Sequence, residues 1–234
     1  MHGNFPFKRH PQEAPAPVIR LEQDGTPFSQ TMCQVRLKAG RISILLIMNI
    51  IIDRASSRGH ANHGWLNTYH TFSFANYFNP DRMQFGALRV LNDDTVLPDE
   101  GFGTHPHKNM EVISIPLKGK LRHGDSLNNS HTITRGEIQL MSAGTGILHS
   151  EYNDSSTDNL EFLQIWVIPD RINTEPKYKD YDIKPLLKHN EISTFLAPET
   201  DISIMQQAWF SWAELDRGTS REYLSLIHIS EPTR

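Results

Sequence analysis

Two short stretches of the chain carry side chains that could bind a metal ion. The first, "GFGTHPHKNMEV", places His105 and His107 one residue apart, and the second, "GILHSEYN", places His149 and Glu151 at the same spacing. Successive side chains of a β-strand point to opposite faces, so residues two apart share one face. On neighbouring strands of a barrel, three imidazoles and one carboxylate would converge and leave coordination positions open. This donor set is typical of a catalytic first-row metal site and is close to that of non-haem iron.

A second carboxylate, Glu111, competes with Glu151 for the role of metal ligand. It has the same strand parity as the histidines, but on a straight strand it would lie about 13 Å beyond His107, at roughly 3.3 Å per residue. Only a turn after His107 would bring it back. We therefore predict Glu151 as the ligand and Glu111 as a pocket carboxylate, and we assign both as candidate acid–base residues.

The sequence around these stretches predicts a β-sheet protein. Short segments alternate apolar and polar residues from residue 69 to about residue 170, with turn-forming breaks such as "FNPD", "NDD", "LKGK" and "NNS" between them. The predicted strands include "YHTFSFANYF", "FGALRVLND", "MEVISIPLKG", "GEIQLMSAG" and "LEFLQIWVIP". No segment in this range sustains a helical period. Many short strands without intervening helices indicate a sandwich or barrel.

Both ends of the chain differ from the middle. Residues 1–47 mix prolines with scattered charges and show no period, which predicts a disordered or non-native leader. Residues 48–170 form the predicted metal-binding domain. Residues 171–223 begin with a polar, proline-bearing connection and continue with strand-like pieces, as expected of a second β unit that is cut short. Residues 224–234, "LSLIHISEPTR", resemble a translated sequencing adapter, so we expect the natural chain to continue differently there.

Composition places the chain among soluble globular proteins. Its 234 residues, 38% of them hydrophobic, can bury one large core or two modest ones. The single cysteine, Cys33, rules out a disulfide framework and fits a reducing compartment, so we predict a cytoplasmic location. The longest apolar run, residues 42–52, is far shorter than the about 20 residues of a bilayer span. Acidic residues outnumber basic ones, 27 to 23, which disfavours nucleic-acid binding through a basic surface.

The remaining histidines are assigned roles outside the metal site. His60, His63 and His70 are assigned to structural hydrogen bonds. His123 and His131 flank the "GDSLNNS" turn and are assigned to the solvated surface, with the pocket edge as an alternative for His123. Trp166 and Phe162 share one face of a predicted strand with Leu160, Gln164 and Ile168, and we assign both to the core.

Several separated stretches resemble the pirin family of the cupin superfamily. "H-x-H-x3-E" followed by Gly119, and "G-x2-H-x3-N" from Gly146 to Asn153, are similar to the two cupin motifs, with Gly144 at the place of the usual proline. More narrowly, "RGHANHGWLNTYHTFSFANYF", "GFGTHPHKNMEV" and "MSAGTGILHSEYN" look like the N-terminal cupin domain of bacterial pirins. The resemblance covers about residues 48–223.

This resemblance implies a bicupin, a pair of double-stranded β-helix (jelly-roll) barrels, of which the second is incomplete in this chain. It implies one metal ion, usually iron(II), at His105, His107, His149 and Glu151. Availability and geometry select the metal at mixed nitrogen and oxygen sites as much as affinity does, so copper, manganese, nickel, cobalt and zinc are alternatives. It also implies a dioxygenase of the quercetin 2,3-dioxygenase type, which opens a flavonol or similar small aromatic substrate with O2. The alternative is an iron-binding redox sensor or regulator that acts through a protein partner without turnover. A sugar-binding or isomerase cupin is a third reading, because one fold hosts many functions.

Overall fold

Short antiparallel strands make up nearly all of the regular structure. The computed structural model describes residues 57–224 and two further strands nearer the N-terminus. The strands are β1 (Val18–Glu22), β2 (Met32–Val35), β3 (Gly59–Asn62), β4 (Leu66–His70), β5 (Leu88–Val96), β6 (Gly101–His107), β7 (Glu111–Lys118), β8 (Lys120–Asp125), β9 (Ser130–Thr134), β10 (Glu137–Ser142), β11 (Ile147–Asn153), β12 (Leu160–Val167), β13 (Lys177–Asp182), β14 (Ile192–Leu196), β15 (Phe210–Ala213) and β16 (Ser220–Leu224). A 3-10 turn lies at Lys184–Leu186, and the described residues contain no α-helix. The predicted all-β class is confirmed.

Two larger sheets and a two-stranded sheet of β14 and β15 lie in the larger of two compact units, which includes residues 57–214. The seven-stranded sheet has the order β13-β10-β7-β12-β5-β4-β3, and the four-stranded sheet has the order β6-β11-β8-β9. From β5 to β12 the chain passes back and forth between the two sheets instead of completing one before the other. This alternation is the double-stranded β-helix arrangement of a cupin.

Side chains from both sheets meet in two apolar clusters. One cluster combines Leu66, Val96, Leu160 and Phe162 of the large sheet with Leu121 and Ile133 of the small sheet. The other combines Val112 and Met141 of the large sheet with Ile147 of the small sheet. Between the clusters, one buried polar row crosses five neighbouring strands of the large sheet: Gln139, Ser114, Gln164, Asn92 and His70.

The opposite face of the large sheet is covered by the chain that follows β13. Apolar side chains on that face of the sheet, among them Ile113 and Ile165, pack against Ile183, Phe195 and Leu196 of the later segment. All three later residues are at most 2% exposed, and full burial of one such side chain contributes about 1.5–3 kcal/mol. The sheet also extends beyond residue 170, because β13 pairs with β10. The polar connection predicted after that residue therefore contains a strand of the first sheet.

Two of the strand and turn predictions are wrong. The residues of the predicted "NDD" break lie inside β5. Asn92 and Asp94 point into the protein interior, on the face of the sheet that carries the buried polar row. The strand predicted for "YHTFSFANYF" ends at His70 and gives way to a loop. Arginine side chains fix this loop through hydrogen bonds to its backbone. One of them, Arg89, donates to the backbone oxygen of Ser73 at 2.8 Å.

The second compact unit contains a small sheet of its own, with the order β16-β1-β2. Its first two strands fall within the predicted leader, residues 1–47. The rest of that leader, and residues 225–234 with His228, lie outside the described residues. Within the part of the chain that the structure describes, no helix has the length and apolar character of a membrane span.

Candidate metal centre

Strands β6 and β11 bring three histidines together. Antiparallel pairing sets His149 opposite His105 and sets Ile147 opposite His107. The Nε2 atoms of His149 and His105 lie 3.0 Å apart. One ring nitrogen from each of the three histidines lies within 4.8 Å of the others. We call these three residues the histidine cluster.

A hydrogen bond determines which nitrogen of His105 faces the cluster. Nδ1 of His105 lies 2.8 Å from the backbone oxygen of Gly103. A carbonyl oxygen only accepts, so Nδ1 donates and Nε2 presents its lone pair toward His149. Two ligands bound at about 2.1 Å and at a right angle around one cation are separated by about 3 Å. The spacing and tautomer of these histidines therefore fit a metal ion.

Burial keeps the imidazoles of His107 and His149 neutral. His149 is 1% exposed and His107 is 8% exposed. Burial, followed by the charge of His105, lowers the pKa of His107 to about 4. Burial lowers the pKa of His149 to about 2, and the neighbouring histidines contribute to the decrease. Neutral imidazole is the form that binds a metal, so both residues present lone pairs at neutral pH.

Glu151 lies on the same strand as His149 but is not a member of the histidine cluster. A register shift between the two residues interrupts the pairing of β11 with β6. The carboxylate of Glu151 instead accepts hydrogen bonds from Ser114 Oγ, at 2.6 Å, and from the amides of Gln139 and Gln164. Burial raises the pKa of Glu151, and the hydrogen bond from Ser114 opposes this rise. The structure therefore places the fourth predicted ligand beside the cluster, and its ligation stays a prediction.

The structure does not bring Glu111 to the histidines. The chain does turn after His107, where Asn109 adopts a φ of 51°. The next strand, β7, then joins the other sheet, and Glu111 has the parity opposite to that of Ser114, which faces the interior. Its carboxylate accepts a hydrogen bond of 2.7 Å from Ser142 Oγ, and burial raises its pKa.

His123 is buried, so its assignment to the solvated surface is wrong. Its side chain is 0% exposed, and its Nε2 lies 3.0 Å from Oδ2 of Asp125. The imidazole stacks on Tyr178 with ring centroids 4.0 Å apart, and its centroid lies 5.4 Å from that of His149. The alternation of "KLRHGD" on β8, in which Leu121, His123 and Asp125 share one face, could have revealed this position.

Aromatic rings line one side of the histidine cluster. Trp166 meets His107 edge to face, with ring centroids 4.8 Å apart and ring planes at 89°. Phe74 packs against Trp166 in a similar T-shaped contact, at 5.3 Å. Trp166 also belongs to the apolar surroundings of Val112 and Met141, as its assignment to the core requires. The same ring therefore contributes both to the core and to the wall of the site.

Alternating strands that enclose a histidine cluster define a metal-binding domain of the cupin type. The Pirin family model matches residues 52–167. A putative quercetin 2,3-dioxygenase from Pseudomonas aeruginosa is 42% identical over 172 residues, which make up 70% of this chain and 72% of that protein. The chain belongs to the pirin family.

Similar proteins from Escherichia coli extend this comparison. Quercetin 2,3-dioxygenase from strain K12 is 54% identical over 130 residues, 56% of this chain and 56% of that protein. This chain thus spans little more than half the length of that relative. The crystal structure of YhhW has a TM-score of 0.63, with 46% identity over 66% of each chain. That of the bacterial pirin YhhW in complex with nickel(II) has a TM-score of 0.62 and the same identity, over 65% of this chain and 66% of that one.

Proposed function

We propose that this protein is a metal-dependent dioxygenase of the pirin type, which opens a flavonol such as quercetin with O2. The observation that carries the proposal is the histidine cluster, whose ligand nitrogens lie within 4.8 Å of one another inside a cupin barrel. Relatives that bear the name quercetin 2,3-dioxygenase support the choice of reaction. We also propose a cytoplasmic location.

The ion that we propose is iron(II), held by His105, His107 and His149 with Glu151 as the fourth ligand. A nickel(II) complex of a relative supports a first-row divalent ion at this site. When bound here, such a cation would stabilise the deprotonated form of a substrate hydroxyl and would supply the reactivity toward O2. Availability selects among metals at mixed nitrogen and oxygen sites, so copper, manganese, nickel, cobalt and zinc are alternatives to be tested.

Glu151 is the residue to which we assign the transfer of the substrate proton. Its carboxylate is 2% exposed, and burial raises its pKa, which makes it a stronger base than an ordinary glutamate. Oε1 accepts from both Ser114 Oγ and the Gln139 amide, whereas Oε2 accepts from the Gln164 amide alone, so Oε2 is the atom that we expect to take the proton of a flavonol hydroxyl. We prefer Glu151 to Glu111 because Glu111 lies on the other face of β7.

The surroundings of the cluster suit a flat aromatic substrate. Trp166 lies beside His107 and Phe74 packs against Trp166, and aromatic pairs of this geometry contribute about 0.5–1.5 kcal/mol beyond the area they bury. Val112 and Met141, each 1% exposed, keep water from this side of the site. A reactive substrate anion would therefore be held away from bulk solvent.

Oxygen uptake tests this proposal directly. The wild-type chain, loaded separately with each candidate metal, is mixed with a panel of flavonols in an oxygen electrode. We expect one loaded form to consume O2 only when a flavonol is present, and we expect His105→Ala and His149→Ala to abolish this uptake. His63→Ala, an exposed histidine, is the matched control. A fully loaded wild-type chain that consumes no O2 with any flavonol would refute the enzyme and leave the iron-binding regulator as the alternative.

A further inference from the structure

Three polar side chains of the large sheet surround the carboxylate of Glu151. Ser114, Gln139 and Gln164 lie side by side on β7, β10 and β12, because Ser114 pairs in register with both glutamines. Ser114 Oγ and the Gln139 amide donate to Oε1, and the Gln164 amide donates to Oε2. All four residues are at most 8% exposed. Both oxygens of one buried carboxylate are thus held by donors from the opposite sheet.

Further hydrogen bonds orient the two amides toward Glu151. The hydroxyl of Tyr178 donates to Oε1 of Gln139 at 3.4 Å, so the amide nitrogen of Gln139 faces the carboxylate. Oε1 of Gln164 lies 3.2 Å from Ser114 Oγ, which leaves the nitrogen of Gln164 directed at Glu151. Each glutamine therefore presents its donor, and not its acceptor, to the charged group.

Folding alone does not require amides that face Glu151 at these positions of the polar row. Along β12, Gln164 lies between Phe162 and Trp166, and on either side of the row the two sheets meet through apolar clusters. Asn92 occupies the next position in the same row, but its side chain bonds His70 at 2.9 Å and not Glu151. Among the described residues, only the two strands that flank β7 supply amides to the carboxylate.

We infer that Gln139 and Gln164 are positioning residues for Glu151, which orient its carboxylate relative to the histidine cluster and set how strongly it binds the ion. This inference rests on the proposed function, in which Glu151 is the fourth ligand. Groups that hydrogen-bond a metal ligand fix its orientation, and their removal typically weakens metal binding 10- to 100-fold. The geometry assigns that role to the amides, since together they engage both carboxylate oxygens.

The test replaces each amide by a side chain of similar length that cannot donate. Gln139→Met and Gln164→Met are titrated with nickel(II), and the cobalt(II) forms are compared by their visible absorption spectra, which report the number and arrangement of ligands. Each variant retains two of the three donors to Glu151. Ser114→Ala removes the third donor with the smallest change in volume, and it serves as a further variant if a methionine variant does not fold. Asn92→Leu is the control, because it removes an equally buried amide from the same row.

We expect the nickel(II) dissociation constant to rise about tenfold or more in both methionine variants. Their cobalt(II) spectra should change, while those of Asn92→Leu and the wild type agree. A change in core packing alone would alter the unfolding temperature of the metal-free protein but not the cobalt(II) spectrum.

The outcomes separate this inference from the proposed function. If the wild-type chain bound neither nickel(II) nor cobalt(II), the metal site and the proposed function would both be refuted. If the wild type bound nickel(II) and the variants kept its affinity and its cobalt(II) spectrum, only the role of the glutamines would be overturned. An equal effect of Asn92→Leu would overturn it as well.

Discussion

The side chain of Asp94 is buried in surroundings that favour its protonated, neutral form. Its side chain lies on the interior face of β5 and is 2% exposed. Within the described residues, its Oδ1 has no hydrogen-bond partner. Burial raises the pKa of Asp94 from 3.8 to about 7; the charges of Glu151 and Asp93 add to the rise, and a hydrogen bond with Thr68 opposes it.

The raised pKa of Asp94 makes stability depend on pH. Below pH 3.8 the group is protonated in both the folded and the unfolded chain, so the contribution to stability is fully present. As the pH rises toward 7, the unfolded chain ionises while the folded chain does not, and the contribution is lost. The pKa difference, at about 1.4 kcal/mol for each pH unit, amounts to about 4 kcal/mol.

Asp94→Asn should remove this loss, because an amide keeps nearly the same shape and does not ionise. We expect the unfolding free energy of the variant to exceed that of the wild type by up to about 4 kcal/mol at pH 8. At pH 4 the two proteins should agree to within about 1 kcal/mol. Denaturant unfolding at pH 4, 6 and 8, followed by tryptophan fluorescence, measures the difference.

The control for this measurement is Asp201→Asn, which changes an exposed aspartate. Its stability relative to the wild type should be the same at all three pH values. A difference between Asp94→Asn and the wild type that stays constant from pH 4 to pH 8 would refute the reasoning, because the effect would then not arise from ionisation of Asp94.

Two further substitutions test the packing that positions the site. A Cβ on Gly101 would lie 2.3 Å from the backbone oxygen of Glu151 and 2.6 Å from Cα of Tyr152, so Gly101→Ala should lower the unfolding free energy by about 1–3 kcal/mol. Gly103→Ala, whose nearest contact is at 3.8 Å, should change it little, and equal effects on denaturant unfolding would contradict this account. Asn153 donates to the backbone oxygens of Val96, Leu97 and Asp158. Asn153→Ala should therefore cost about 2 kcal/mol or more in the same assay, and a loss below 0.5 kcal/mol, on the order of one weak hydrogen bond, would refute it.

Strand parity was enough to predict which histidines would lie together. His105 and His107 share a face on one strand, and His149 shares that face on the next, so simple alternation brings their rings into one group. The family resemblance supplied the cupin barrel, which alternation alone cannot specify. The cupin fold predicted in this way is confirmed.

Features that depend on tertiary pairing were not predictable from alternation. Three donors of the large sheet hold the Glu151 carboxylate, and this choice of partners leaves no trace in residue spacing. Asn92 and Asp94 are residue types that favour turns, yet both lie inside β5 with their side chains buried. His123 was missed because its strand was not predicted, although its alternation indicates burial.

Metal content tests the central claim most directly. The wild-type chain and the variants His149→Ala and His63→Ala are incubated with iron(II) without oxygen, freed of unbound ion and analysed for metal. We predict about one ion per chain for the wild type and for His63→Ala, since the four proposed ligands bind a single cation. We predict almost none for His149→Ala. Full occupancy in His149→Ala, or an empty wild-type chain, would contradict the account.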